Sequence, residues 1–107
     1  MKLYLSGPMT GLPELNYPAF REAAKTLREL KHEVYNPADW EELYSPDGKF
    51  HLKNAFEDYC KFIIHDADAV VLLDGWQNSP GATAEQALAL AVGKSVYEYR
   101  EIHFWHT

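Results

Sequence analysis

Residues 69–85 read AVVLLDGWQNSPGATAE, and the fold follows from how this stretch changes character along its length. Ala69 to Leu73 is an unbroken apolar run of strand length, with no polar residue in alternation. A strand covered on one face alternates, whereas one covered on both faces, as the central strands of parallel sheets are, reads as a continuous hydrophobic run. The run stops at Asp74-Gly75, and Asn78, Ser79 and Pro80 are turn formers that do not let a strand continue. Gly81 to Val92 is then rich in Ala and Leu, reads as a helix, and is ended by Gly93. Ser95 to Tyr99 supplies the next strand, so the stretch is the core of a βαβ unit.

The same grammar extends toward the N-terminus. Lys2 to Ser6 alternates and runs into the turn-rich Gly7-Pro8-Met9-Thr10-Gly11-Leu12-Pro13. Pro18 suits the first turn of a helix whose apolar face is Phe20, Ala23, Ala24, Leu27 and Leu30, ending at about Lys31. His32 to Asn36 is a short second strand closed by Pro37, and Ala38 to His51, with a turn at Asp47-Gly48, reads mainly as loop. Leu52 to His65 carries Leu52, Ala55, Phe56, Tyr59, Phe62 and Ile63 at helical spacing. The order β-α-β-α-β-α-β predicts an α/β fold, a small Rossmann-like three-layer sandwich with a mainly parallel sheet of about four to five strands.

Composition narrows the class. The 107 residues, 47% of them hydrophobic, suffice for one core and one domain. A formal charge of −6, with Lys and Arg scattered, would repel a nucleic-acid polymer. A single phosphate stays possible, since a helix N-terminus holds one without a cationic side chain. Cys60 is the one cysteine, which excludes an internal disulfide and fits a reducing compartment; as a helix residue it reads as buried packing. No apolar run reaches the roughly 18 residues of a membrane span, and MKLYLSGPM is no signal peptide, so a cytoplasmic protein is expected.

In open α/β sheets ligands sit beyond the carboxyl ends of the strands. That places Ser6, Gly7, Pro8, Met9, Thr10 and Gly11 beside the loop after Leu73. Glycines there allow close backbone approach and exposed amides, although turn geometry alone also asks for them. Ser79 and Gly81 open a helix, where free N–H groups and the macrodipole favour negative charge. Glu85, a turn further in, would point back toward that loop. It reads either as a carboxylate kept charged beside a cleft or as a solvated, dipole-stabilising Glu. No Gly-Lys-Ser/Thr follows, which excludes a P-loop.

YLSGPMTG, the DAVVLLDGW strand and loop, and SPGATAEQALA together resemble the nucleoside 2-deoxyribosyltransferase-like superfamily, in its small DUF4406-like branch with a GW…S.GA..E signature. The resemblance runs over residues 2 to 99. It implies that Glu85 attacks the anomeric carbon of a nucleoside or nucleotide, that Tyr4 orients it, and that a helical Asp assists departure of the base. Counted back from Asp68, the family's position falls on Cys60, and Asp58 is the nearby carboxylate assigned to it. Ser79 stands where members acting on free nucleosides carry Asp, and it resembles the Ser of the nucleoside 5'-monophosphate N-glycosidases that contacts the phosphate. The expected activity is thus cleavage of an N-glycosidic bond by hydrolysis or transfer, without metal or organic cofactor, on a small-molecule nucleotide. The alternative is a nucleotide-binding protein without turnover.

Other side chains have two readings. Trp76 stacks on a base or lids the core. Tyr97, Tyr99, Phe104 and Trp105 form either core or, preferred here, the interface of a homodimer or higher homo-oligomer, which the resemblance also implies. His103 and His106 have ligand-like spacing but no third ligand, so no metal site is expected.

Overall fold

The computed structural model of this chain describes residues 1–39 and 52–101. Strands β1 (Lys2–Ser6), β2 (Glu33–Tyr35), β3 (Ala69–Leu72) and β4 (Ser95–Glu98) form one four-stranded sheet, every pairing parallel, in the order β2-β1-β3-β4. Helices α1 (Tyr17–Glu29), α2 (Leu52–His65) and α3 (Pro80–Ala91) connect them. The α/β sandwich expected from the alternation is therefore present.

Strand alternation sorts the core into two faces. Leu3, Leu5, Ala69, Val71 and Leu73 join Phe20, Ala23, Ala24 and Leu27 of α1 in one buried cluster. Tyr4, Val70 and Leu72 join Tyr59 and Ile63 of α2 and Ala89 of α3 in the other. All of β3 is buried, which is why it reads as an unbroken apolar run. β1 leads outward to β2 and β3 leads the other way to β4, so the order reverses between β1 and β3. A crevice opens at such a switch point, beyond the strands' carboxyl ends. Ser6 and the loop after it sit at that edge, paired in register with Leu72.

Several boundaries differ from the expected ones. α1 ends at Glu29, with Lys31 in the left-handed region at φ 73° and the His32 N–H donating back to the Leu27 carbonyl. This is a helix stop usually made by glycine. Before α1 comes a left-handed turn in which Glu14, Leu15 and Asn16 all have positive φ. The Asn16 side-chain amide donates to the Pro8 carbonyl and ties this turn to the loop after β1. Residues 37–39 are helical rather than loop, because the Asn36 side chain accepts the Ala38 N–H and caps them. The rest of the expected loop, with Asp47-Gly48, lies outside the described residues. So do His103, Phe104, Trp105 and His106. Tyr97 and Tyr99 are half-buried and pack against the α1-side cluster. Among the described residues no helix is long and apolar enough to cross a membrane.

Gly7 is needed where β1 leaves the sheet. The Leu73 N–H donates to the Ser6 carbonyl at 2.8 Å, which draws the two exits together. A Cβ on Gly7 would lie 2.8 Å from the Leu73 Cβ, an atom fixed to backbone that cannot swing aside. Gly7→Ala is expected to destabilise the fold by about 1–3 kcal/mol, the usual cost of overpacking. A denaturant midpoint equal to that of the unsubstituted protein would refute this.

Candidate active site

The crevice holds a cavity of ≈ 380 Å³, within the range of roughly 300–1,000 Å³ of small-molecule sites. The β1 exit, the N-terminal turn of α3 and the inner face of α2 wall it. Among the described wall residues, Glu85 is the one Asp or Glu and none is Lys or Arg.

Glu85 is inside, not on a solvated helix face. Ala82, Glu85 and Ala89 are the buried residues of α3, spaced i, i+3, i+7 as one stripe facing the sheet. The carboxylate is 5% exposed. Beneath it, strand alternation sends Tyr4 and Ser6 to the same face of β1, where they are each 1% exposed. The Tyr4 hydroxyl donates to Glu85 Oε2 at 2.6 Å, and the Ser6 hydroxyl donates to Oε1 at 2.7 Å. Hydroxyl-to-carboxylate bonds this short are the charge-assisted kind.

The tyrosines around the carboxylate resist ionisation. Burial, and then the neighbouring Glu85, push the Tyr4 phenol well above its ordinary 10. Burial, with Asp58 and Glu85 as lesser causes, pushes Tyr35 up to about 12. Both phenols are therefore neutral donors at physiological pH. The folded state keeps these protons where the unfolded chain sheds them, from about pH 10. The stability they contribute is whole below that pH and is lost as pH rises through about 12. Thermal unfolding temperature is thus expected to fall over this window. Tyr35→Phe should remove a late step near pH 12 from the phenolate absorbance titration; loss of an earlier step would contradict the assignment.

At the other end of the cavity, Ser79 is the N-cap of α3. Its side-chain oxygen accepts the Ala82 N–H at 3.2 Å, and Pro80 occupies the first turn. The Ser79 hydroxyl proton and the Gly81 N–H face no acceptor within the helix, because first-turn donors have none. This end of the helix can bind an anion.

The structure brings together Tyr4, Ser6, Gly7, Pro8, Met9, Thr10, Ser79, Gly81 and Glu85 on one cavity. Ser6 lines the cavity and its hydroxyl donates to the Glu85 carboxylate. Three anticipated residues are not on the wall. Gly11 is a turn glycine at φ 85°, with nothing within 4 Å of where a Cβ would be. Trp76 packs on the α2/α3-side core and donates its indole N–H to Glu98 at 3.3 Å. Asp58 is exposed on α2, because one residue on a helix turns the side chain by about 100° and it is Tyr59 that faces inward. Tyr59 and Phe56 are wall residues that the sequence places only in the apolar face of α2.

The family model described as Domain of unknown function (DUF4406) matches residues 1–98. No curated protein matches the chain.

Proposed function

The chain belongs to the family described as Domain of unknown function (DUF4406), and we propose that it breaks the N-glycosidic bond of a nucleoside 5'-monophosphate through a sugar ester on Glu85. The observation that carries this reading is the buried Glu85 carboxylate, aimed by the Tyr4 and Ser6 hydroxyls and lying on one cavity with the α3 N-terminus. The resemblance to nucleoside 2-deoxyribosyltransferase-like proteins leads to the same residue. In the proposed step a Glu85 oxygen attacks C1' of the sugar, the C1'–N bond breaks, and its electron pair leaves with the base. The resulting ester is then resolved by water, giving a hydrolase, or by a second base, giving a transferase. Ser79 and Gly81 would hold the 5'-phosphate by hydrogen bonds and the helix field.

A second reading, a nucleotide-binding protein without turnover, draws on the exposed position of Asp58. Without that acid on the wall, base departure would lose assistance while affinity stayed. Incubating the protein with nucleoside monophosphates and their parent nucleosides, then chromatographing for free base, separates the readings. The expected result is release from monophosphates at least about tenfold faster than from nucleosides, the worth of one or two charge-assisted hydrogen bonds. Equal rates would sink the phosphate assignment. Tight binding with no release would favour the second reading.

A further inference from the structure

The two oxygens of Glu85 are held by unlike donors, a phenol on Oε2 and an aliphatic hydroxyl on Oε1, and a sugar ester can form on only one of them. Resting on the glycosidic reading above, we propose that the attacking oxygen is Oε1, and that the Ser6 hydroxyl bonded to it serves the second half of the reaction, by receiving that oxygen's charge as the ester breaks.

The donors differ in how far they can follow a moving oxygen. The Tyr4 ring is wedged, with ring centroids of Tyr35, Tyr59 and Phe62 at 5.5, 5.8 and 6.3 Å, and the residue is 1% exposed. Oε2, bonded to its hydroxyl at 2.6 Å, is therefore an anchor. The Ser6 O–H sits on a short side chain and swings about a single C–O bond, so it can track a displaced acceptor. An oxygen that attacks C1' has to close from about 3–3.5 Å to bonding distance. The carboxylate does so by pivoting about the anchored Oε2 and carrying Oε1 forward. Placement along β1 agrees. Ser6 is the last residue of the strand, and its backbone stands two residues, about 6.6 Å, nearer the crevice than that of Tyr4.

The two bonds then have different fates. As the Oε1–C1' bond forms and the C1'–N pair leaves with the base, which takes a proton from water, Oε1 becomes the alkyl oxygen of an ester and a poor acceptor. Oε2 becomes the ester carbonyl oxygen and keeps its bond from Tyr4. In the second half a water oxygen bonds to C1', its proton goes to solvent, the C1'–Oε1 bond breaks and the electron pair returns to Oε1. The Ser6 bond is thus given up on entering the ester and regained on leaving it. A donor that favours the free carboxylate over the ester raises the barrier to attack and lowers the barrier to breakdown.

The test measures the two halves separately. The protein is mixed with the nucleoside 5'-monophosphate it turns over fastest, quenched in acid at short times, chromatographed for free base and weighed intact for the added mass of a sugar phosphate. Ser6→Ala should form the ester no more slowly than the unsubstituted protein and break it down about tenfold more slowly, the worth of one hydrogen bond to a charged group, so that ester accumulates. Tyr4→Phe, which removes the anchor, should slow formation without a comparable accumulation. The ratio of the two rates within one sample does not depend on the fraction folded, so a loss of stability cannot imitate the result. Equal slowing of both halves in Ser6→Ala, slower formation with unchanged breakdown, no change in either half, or accumulation in Tyr4→Phe but not in Ser6→Ala would overturn the assignment while leaving the glycosidic reading in place. Absence of base release by the unsubstituted protein from every nucleoside monophosphate would overturn that reading, and this inference with it.

Discussion

Glu85→Gln is expected to lower base release by about a thousandfold or more, while nucleotide affinity changes by less than about threefold. The substitution keeps the size and shape of a side chain that is 5% exposed between Ala82 and Ala89, so the α3 stripe remains intact. The Tyr4 hydroxyl can still donate to the amide oxygen. The Ser6 hydroxyl can rotate and accept from the amide nitrogen, so no buried polar atom is stranded. What disappears is the anionic oxygen that forms the ester, and an amide cannot replace it as a nucleophile. Stability moves the other way. Burying a charge costs several kcal/mol that hydroxyl donors return only in part, so the neutral amide should melt at the same temperature or higher. Rapid-quench release and titration calorimetry on the same preparation check both halves. Unchanged release would remove Glu85 from the chemistry altogether.

Ser79→Asp is expected to reduce monophosphate turnover by about a hundredfold or more and to leave nucleoside turnover unchanged or improved. Its value lies in what it does not disturb. Asp caps a helix as well as Ser does, and its carboxylate can take over the Ala82 N–H that the Ser79 oxygen now accepts at 3.2 Å. The fold is thus expected to hold, and the added negative charge acts alone. Placed at the anion-binding end of a cavity whose described wall carries no Lys or Arg, that charge meets a phosphate with no cation nearby to screen it. A sugar hydroxyl, by contrast, can donate to it. Comparing kcat/KM for a monophosphate and its nucleoside in the two proteins measures the switch directly. If both substrates fell by the same factor, the phosphate would have to sit elsewhere.

Elements and residues differ in how far the amino-acid sequence makes them legible. β3 was legible because burial on both faces leaves an unbroken apolar run, and α3 was legible because Ser79-Pro80 starts it and Gly93 stops it. The end of α1 was legible only to within a turn. The helix closes at Glu29, two residues before the expected Lys31, which takes a left-handed conformation that glycine advertises and lysine does not. The turn over Glu14, Leu15 and Asn16 was hidden for the same reason: Glu14 and Leu15 do not favour positive φ, and the turn is tied down by the Asn16 bond to Pro8. Tyr59 was read only as part of an apolar face, since a phenol at helical spacing looks the same whether it meets a core or a cavity.

The amino-acid sequence by itself determined the order of strands and helices, their parallel pairing, and the meeting of the β1 exit with the α3 start, because hydrophobic period and turn chemistry act within a few residues. It also named Glu85 and Tyr4, through motif resemblance. Only the tertiary structure decided that Glu85 is enclosed rather than solvated, that Ser6 is its second donor, and that Tyr59 rather than Asp58 faces the cavity. Which side of a helix is inside depends on what that helix is laid against, and the rotation of about 100° between successive residues turns this from one side chain to the next.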